Sequence, residues 1–305
     1  MMLAPSKRRG GLSMTAKRTT TTPLPATGLL LIGMGPGQLE GMSLEAIEAA
    51  TRADVRRYEA YTALWPQTEL DALEEEIGPI EKVMRPEVEQ PEALFKMANE
   101  SLVALLVVGD PLQATTHVDL QLQAAEAGIE CHVIHGISIT TLVTGAVGLS
   151  NYKFGRQTTL TYPYGGWVAT SPLEVIAVNR YQNLHTLALL DLDPTGEGVG
   201  HQVPMKPEDA VTSLRLMWKK LEEGLGEMPQ ETALEAMRFE ACSSLLQTSL
   251  DGCVVVLCAD MGTGEQQLST TTVGELSALA GGRLNSLIFP SQPSEVEEKA
   301  LLRWK

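Results

Sequence analysis

The chain has 305 residues, of which 44% are hydrophobic and 20% are charged, and its formal net charge is −15. This length and composition predict a folded protein with a sizeable core, arranged as two domains or one large one. The longest uninterrupted apolar run covers residues 102–108, far fewer than the roughly 20 needed to cross a bilayer, so no membrane span is predicted.

The negative charge is concentrated in the body of the chain. Residues 1–27 contain five basic residues and no acidic one, which leaves 18 basic and 38 acidic residues, a net charge of −20, for the remainder. So acidic a body argues against nucleic acid as a partner and favours a cationic ligand or a basic protein surface. An acidic surface that serves only solubility is the alternative.

The first 27 residues predict a disordered basic tail. They are rich in Ser, Thr and Pro and show no apolar periodicity. They lack the apolar stretch of a secretory signal. Their composition is equally compatible with an organelle transit peptide and with translation that starts downstream, at Met14.

The cysteines and histidines predict neither a disulfide framework nor a metal site. The four cysteines, at positions 131, 242, 253 and 258, show no CxxC spacing, which favours a reducing, cytoplasmic location. His132 and His135 of CHVIH are three residues apart in a predicted strand, so they face opposite sides and cannot meet on one ion.

Strand and helix patterns alternate through residues 28–138. Strands are predicted at 28–33, 102–108 and 129–136, and helices at 43–50, 69–78, from Pro91 onward and at 116–128. The near-continuous apolar run at 102–108 is typical of a parallel strand covered on both faces. The alternation predicts a parallel α/β domain.

The second half predicts another α/β domain, over residues 139–291. Its strands are expected at 156–163, 185–193, 253–260 and 284–291, with helices at 207–224 and about 231–249. Residues 292–305 predict a short closing helix and tail.

Two loops that follow predicted strands are candidates for a ligand site. GMGPG at 33–37 lacks the third glycine of a dinucleotide fingerprint, because Gln38 stands at that position. Glu59 lies about where a ribose-binding acid would be expected. It is not preceded by a glycine loop that could bind the phosphates. GDPLQATTH at 109–117 supplies Thr115, Thr116 and His117 beside a turn that needs none of them. In open parallel sheets, ligands bind at this edge.

Seven stretches together carry a resemblance to a known family. They are LIGMGPG (31–37), EAYT (59–62), VVGDPLQATTH (107–117), VIHGISI (133–139), GLSNYKFG (148–155), HTLALLD (185–191) and LNSLI (284–288). In this order they resemble the diphthine synthases of the tetrapyrrole methylase superfamily. The resemblance implies a tetrapyrrole methylase-like fold of two α/β domains, with S-adenosylmethionine in the cleft between them, and usually a homodimer.

The resemblance also implies a reaction and a set of cofactor contacts. The reaction is repeated methylation of the amino group of a 3-amino-3-carboxypropyl-histidine on translation elongation factor 2, giving diphthine and S-adenosylhomocysteine. The implied contacts are Pro36, Asp110, Gln113, Ser138, Ile139, Leu190, Met261 and Asn285. The chain departs from the family pattern at Gln113, where many members have Gly, and at Asn285, where many have His.

Methylation of an amine requires a neutral nucleophile, whereas a free amine is mostly protonated at neutral pH. A base or a desolvating pocket is therefore needed. His117, Glu59 and Tyr61 are the candidate bases, each of which could instead be a passive contact or a helix cap. The candidate substrate contacts are Tyr61, Thr115, Thr116 and His117.

Two other functions are compatible with the same pattern. One is a porphyrinoid C-methyltransferase acting on a precorrin or uroporphyrinogen, although an acidic macrocycle calls for arginines in the cleft. The other is a non-catalytic adapter that keeps the methylase fold to bind the elongation factor.

Overall fold

A computed structural model describes residues 23–199 and 202–305. Most of the predicted tail, residues 1–22, lies outside the described residues. Leu24, just before the first strand, is partly buried against the core of the first half. In the described part of the chain, no helix combines the length and apolar character of a bilayer span, and the four cysteines are free.

The first half is built on a five-stranded parallel sheet in the order β3-β2-β4-β1-β5. Its strands are β1 Gly28–Gly33, β2 Val55–Glu59, β3 Glu81–Val83, β4 Leu102–Val107 and β5 Cys131–Ile134. Its helices are α1 Leu44–Arg52, α2 Gln67–Ile77, α3 Arg85–Glu89, α4 Glu92–Glu100 and α5 His117–Glu126. Every residue of the central strands β1 and β4 is buried, which confirms the prediction of apolar strands covered on both faces.

The second half is built on a mixed five-stranded sheet in the order β6-β7-β10-β8-β9, in which only β6 and β7 pair in parallel. Its strands are β6 Thr158–Leu160, β7 Thr186–Leu190, β8 Val254–Ala259, β9 Gln267–Thr272 and β10 Asn285–Phe289. Its helices are α6 Ile139–Ala146, α7 Ser171–Tyr181, α8 Pro207–Gly224, α9 Ala233–Leu246, α10 Val273–Leu276 and α11 Glu295–Leu302. The α/β class is confirmed for both halves. The sequence missed β2, β3, β9 and the helices α3, α6, α7 and α10.

Helix α6 connects the two halves. It follows β5 of the first sheet, yet its Val143 and Val147 belong to a buried cluster with Leu187 and Val256 of the second sheet. The chain therefore passes from one half to the other in the few residues between β5 and α6, and this crossing helps to form one wall of the cleft described below.

Three glycines meet backbone to backbone at the carboxyl edge of the first sheet. A Cβ on Gly33 would lie 2.4 Å from the amide nitrogen of Gly136, and a Cβ on Gly136 would lie 2.2 Å from the carbonyl oxygen of Gly109. Gly109 has a φ of 78°, in the left-handed region that favours glycine. The ends of β1, β4 and β5 can approach this closely only because no side chain lies between them.

The last helix is tied to the rest of the second half by Glu297. Its buried carboxylate accepts hydrogen bonds from the Ser150 amide (2.9 Å) and from His185 Nε2 (3.1 Å). His185 Nδ1 accepts from the Ser291 amide at 2.9 Å, so the ring proton lies on Nε2 and points at the carboxylate. Burial lowers the pKa of His185, which keeps the ring neutral.

The same bonds hold Glu297 ionised. Burial alone would raise the pKa of Glu297, but hydrogen bonds from the Ser294 and Ser150 amides and from His185 outweigh it and place that pKa well below the ordinary 4.5. Lys153, in the NYKFG stretch, adds a cation whose Nζ lies 3.3 Å from the carboxylate. Glu297 thus joins α11, the NYKFG loop and β7 through one buried charge.

We expect Gly136→Ala to lower the free energy of unfolding by about 3 kcal/mol or more, because the new methyl group would overlap backbone atoms that cannot rotate away. The matched control is Gly145→Ala in α6, where an added Cβ meets nothing within 4 Å. There alanine should be neutral or slightly stabilising. Urea unfolding of both variants measures this, and equal stabilities would contradict the close packing of the glycines.

We expect Glu297→Gln to lower the free energy of unfolding by about 2 to 4 kcal/mol at pH 7, since it leaves buried donors facing an amide. A folded-state pKa below 4.5 means that the carboxylate stabilises the protein above that pH and that this contribution fades as the pH falls further. The difference between the variant and the wild type should therefore shrink in acid. Glu295→Gln, an exposed position on the same helix, is the control and should change stability by less than about 0.5 kcal/mol.

Candidate functional site

A cleft lies between the two halves, at the carboxyl ends of the first-sheet strands. It contains about 870 Å³ of space, counted out to its open mouth. The first half contributes the loops after β1, β2 and β4, and the second half contributes the ends of β7, β8 and β10. The position agrees with the rule that α/β sheets bind ligands at this edge.

Seven of the eight residues predicted to contact a cofactor line this cleft: Pro36, Gln113, Ser138, Ile139, Leu190, Met261 and Asn285. They come from separate parts of the sequence. The fold therefore gathers at one place positions that were singled out only by their family pattern.

The eighth predicted contact, Asp110, is not among the described residues that line the cleft. Its buried carboxylate accepts hydrogen bonds from the Leu112 amide (2.9 Å), the His135 ring (2.8 Å) and the Gly136 amide (3.3 Å). Asp110 thus joins the loop after β4 to the loop after β5. These hydrogen bonds fix the turn, and they occupy the carboxylate with protein donors.

The walls of the cleft meet through small residues. A Cβ on Gly262, which has a φ of 79°, would lie 2.2 Å from Cγ of Pro36, and a Cβ on Gly37 would lie 2.7 Å from Cγ2 of Thr263. The loop after β1 and the loop after β8 are therefore in direct contact, and this contact fixes the width of the cleft at that end.

Most of the lining is apolar, with a few convergent polar groups. Leu189, Leu190 and Met261 form part of the wall supplied by the second half, and Ile139, at the start of α6, packs against the same cluster as Met261. Ser138 is the N-cap of α6, and its hydroxyl accepts from the Thr140 amide at 3.2 Å. The amino end of a helix, with its partial positive charge, is thus close to the cleft.

A carboxylate and a guanidinium that the sequence analysis missed also line the cleft. Asp260 accepts hydrogen bonds from the Arg283 and Leu284 amides, both at 3.0 Å. Arg283 Nη1 donates to the Leu64 carbonyl at 2.7 Å, which bridges the two halves. Burial lowers the pKa of Arg283, opposed by the nearby charge of Asp260. The place of Asp260 at the very end of a predicted strand was the signal that could have identified it.

The two departures from the family pattern have different surroundings. The Asn285 side chain accepts from the Gly282 amide at 2.7 Å and donates to the Met205 carbonyl at 3.2 Å, so it holds the protein backbone. Gln113 is exposed at the cleft, and its Oε1 is 3.5 Å from Thr140 Oγ1. Of the two, Gln113 has the side chain that is freer to meet a ligand.

The three candidate bases lie behind the wall of the cleft. Glu59 and His117 are each 1% exposed, and Glu59 Oε2 is 3.2 Å from His117 Nε2. Tyr61 is 5% exposed, and its hydroxyl has no hydrogen-bond partner among the described residues. Burial raises the pKa of Tyr61, and the charge of Glu59 raises it further, so the phenol keeps its proton.

The threonines of the ATTH stretch are divided between two environments. Thr115 Oγ1 is 3.1 Å from His117 Nδ1, so Thr115 belongs to the surroundings of the buried histidine. Thr116 is the exposed N-cap residue of α5, but its side chain makes no capping hydrogen bond. Ala114, just before them, lines the cleft with a φ of 56°. Direct contact of Thr115, Thr116, Tyr61 and His117 with a substrate stays a prediction.

In the described part of the chain, no group of three or more His, Cys, Asp or Glu side chains is placed to hold a metal ion. The two histidines of CHVIH have separate partners. His132 Nε2 is 2.7 Å from Glu130, and His135 Nδ1 is 2.8 Å from Asp110.

Comparison with known proteins gives consistent matches. The family model of the tetrapyrrole (corrin/porphyrin) methylases matches residues 28–277. A diphthine synthase of Halorubrum lacusprofundi is 31% identical over 287 residues, which cover 90% of this chain and 95% of that protein. A diphthine synthase of Methanospirillum hungatei is 37% identical over 166 residues, which cover 54% of this chain and 66% of that protein, just under two thirds of its length.

A solved structure agrees with these sequence matches. A crystal structure of diphthine synthase superposes on this chain with a TM-score of 0.72 at 26% identity, covering 90% of this chain and 95% of the other. This likeness confirms the tetrapyrrole methylase-like fold predicted from the motifs. The chain belongs to the tetrapyrrole (corrin/porphyrin) methylase family and, within it, to the diphthine synthases.

Proposed function

We propose that this chain transfers methyl groups from S-adenosylmethionine to the amino group of a 3-amino-3-carboxypropyl-histidine on translation elongation factor 2, forming diphthine. The observation that carries the proposal is the gathering of seven predicted contact positions in one cleft, in a chain of the diphthine synthase family.

The residues of the cleft suit S-adenosylmethionine. The apolar side chains of Leu190, Met261 and Ile139 fit an adenine ring, and Asp260 and Arg283 offer one negative and one positive group for an amino-acid end. At Gly109 the lining has no side chain, so a ligand can approach the backbone. When bound, the cofactor supplies an electrophilic methyl group on a positively charged sulfur.

The protein itself has mainly to align the reacting groups. Methyl transfer to an amine is an in-line displacement, so positioning at near-attack distance is the main contribution of the cleft. A largely apolar lining also favours the neutral, nucleophilic form of the amine by desolvation. Both contributions follow from the walls and need no covalent participation of a side chain.

The porphyrinoid alternative has less support. Arg283 is the one Lys or Arg among the described residues that line the cleft, and one of its nitrogens is already bound to the Leu64 carbonyl. An acidic macrocycle would be poorly neutralised there. A non-catalytic adapter would have no need of an apolar cleft that binds a methyl donor, and calorimetry with S-adenosylmethionine separates the two possibilities.

The central test is mass spectrometry of elongation factor 2 that carries the unmethylated 3-amino-3-carboxypropyl group, after incubation with the protein and S-adenosylmethionine. We expect stepwise gains of one methylene mass at that histidine. An unchanged mass, with the donor shown to bind, would contradict the proposed reaction.

We expect Leu190→Glu to weaken binding of S-adenosylmethionine about 100-fold or more, since it puts a charge into the apolar wall. Leu234→Glu is the control, because Leu234 is 70% exposed and is not among the described cleft residues. Isothermal titration calorimetry measures both. Equal affinities for the two variants would show that the donor binds elsewhere.

The acidic body suggests how the protein substrate is approached. A net charge of −20 on residues 28–305 would attract a basic region of the elongation factor. We expect the association rate to fall about tenfold or more between low and high salt, measured by stopped-flow mixing. A rate that is indifferent to salt would contradict electrostatic docking.

Two further expectations come from the family resemblance and from the cysteine pattern. The chain is expected to form a homodimer, which light scattering tests directly. A cytoplasmic location is expected from the cysteine pattern, and cell fractionation tests it.

A further inference from the structure

Thr62 is where the buried Glu59–His117 pair reaches the cleft. It is the last residue of EAYT, it is exposed, and it lines the cleft. Its hydroxyl donates to Glu59 Oε1 at 2.5 Å, and its backbone N–H donates to the same oxygen at 3.0 Å. One carboxylate oxygen thus fixes both the backbone and the side chain of Thr62.

This arrangement determines which hydrogen bonds Thr62 can make with a ligand. A hydroxyl has one hydrogen to donate, and here that hydrogen is bound to Glu59. The backbone N–H of Thr62 donates to the same Oε1, so Glu59 is the acceptor in both hydrogen bonds. Toward the cleft, Oγ1 can therefore only accept.

The buried Glu59–His117 pair keeps the Thr62 hydroxyl donating toward Glu59. His117 Nδ1 is 3.0 Å from the Pro111 carbonyl, which can only accept, so Nδ1 carries a hydrogen. The other nitrogen, Nε2, lies 3.2 Å from Glu59 Oε2, and neither of these two atoms has a hydrogen-bond partner among the described residues. The ring thus lies against Oε2, and Oε1 is the carboxylate oxygen that accepts from Thr62.

We propose that Thr62 Oγ1 binds an N–H of the acceptor amine, with Glu59 and His117 as positioning residues that keep this oxygen an acceptor. The inference rests on the proposed function and names the residue that orients the nucleophile. An amine or ammonium with at least one N–H can donate to Thr62, which directs the remaining substituents of the nitrogen. A fully methylated nitrogen has no N–H and cannot make this bond.

The structure gives a reason why Thr62 and not His117 touches the substrate. His117 and Glu59 are each 1% exposed, whereas Thr62 is exposed at the cleft surface. Within the described residues, the Thr62 hydroxyl joins Glu59 to the cleft surface, and Glu59 in turn lies against His117. Two of the three candidate bases are thereby connected with the cleft through one neighbouring residue.

The test compares Thr62→Val with Thr62→Ser. Valine keeps the shape of the side chain and removes the acceptor oxygen, whereas serine keeps that oxygen. Two quantities are measured: the rate of the first methyl transfer at saturating S-adenosylmethionine, and the ratio of affinities for elongation factor 2 carrying the unmethylated and the trimethylated group. We expect the valine variant to lose about 10- to 100-fold in rate and to lose the preference for the unmethylated form, and the serine variant to retain both.

The outcomes separate this inference from the proposed function. Wild-type activity with an unchanged Thr62→Val rate and preference would overturn the role of Thr62 and leave the reaction standing. Loss of S-adenosylmethionine affinity in Thr62→Val, seen by calorimetry, would also overturn it, because Thr62 would then hold the donor. Thr212→Val, at an exposed threonine of α8 whose hydroxyl binds the Glu208 carbonyl, is the control for the chemical change alone.

Discussion

The close approach of the Gly33, Gly109 and Gly136 backbones is the constraint on which the site depends. With no Cβ between them, β1, β4 and β5 end at one level and their loops turn outward together. Gly35 and Gly109 then pair through two backbone hydrogen bonds, of 3.1 and 2.9 Å, which join the first two of these loops. The backbone at Gly109 therefore lines the cleft directly, and side chains from other segments complete its walls.

The nonapeptide GDPLQATTH shows how one loop serves the interior and the cleft at once. Asp110 and His117 point inward and hold neighbouring loops, whereas Gly109, Gln113 and Ala114 line the cleft. Burying a carboxylate or an imidazole without partners would be costly, and here each has at least two polar neighbours. The excess of polar residues beyond the needs of a turn is thus explained by a buried network that keeps the loop in one conformation.

The elements that could be predicted are those whose pattern directly reflects burial. The apolar runs of β1 and β4 and the long amphipathic helix α8 are of this kind. Strand β2, VRRYE, was missed because its arginines have local partners: Arg56 donates to carbonyls at the end of α1, and Arg57 pairs with Glu81. Strand β9, QLSTTT, has little apolar alternation and takes its place from pairing with β8.

The residues of the site, like the elements of the fold, could be predicted only in part. Family pattern identified positions on the cleft wall, but it could not tell that the Asp110 carboxylate is held by the His135 ring and the Gly136 amide, because side-chain contacts depend on the neighbouring loops. Arg283 and Thr62 were missed for a related reason. Their importance arises from contacts with residues far away in sequence or buried beneath them, Leu64 in one case and the Glu59–His117 pair in the other.

The proposed chemistry depends on the contacts between the two halves. The apolar wall suited to the donor belongs mainly to the second half, whereas Thr62 belongs to the first. In-line transfer requires the reacting atoms to lie about 3 to 3.5 Å apart, and a displacement of about 1 Å can cost two orders of magnitude in rate. Gly262 against Pro36, Arg283 bound to Leu64 and Gln202 bound to the Ala60 carbonyl hold the halves in register. Since Ala60 and Leu64 flank Thr62 in sequence, the contacts that join the halves also fix the segment that would orient the nucleophile.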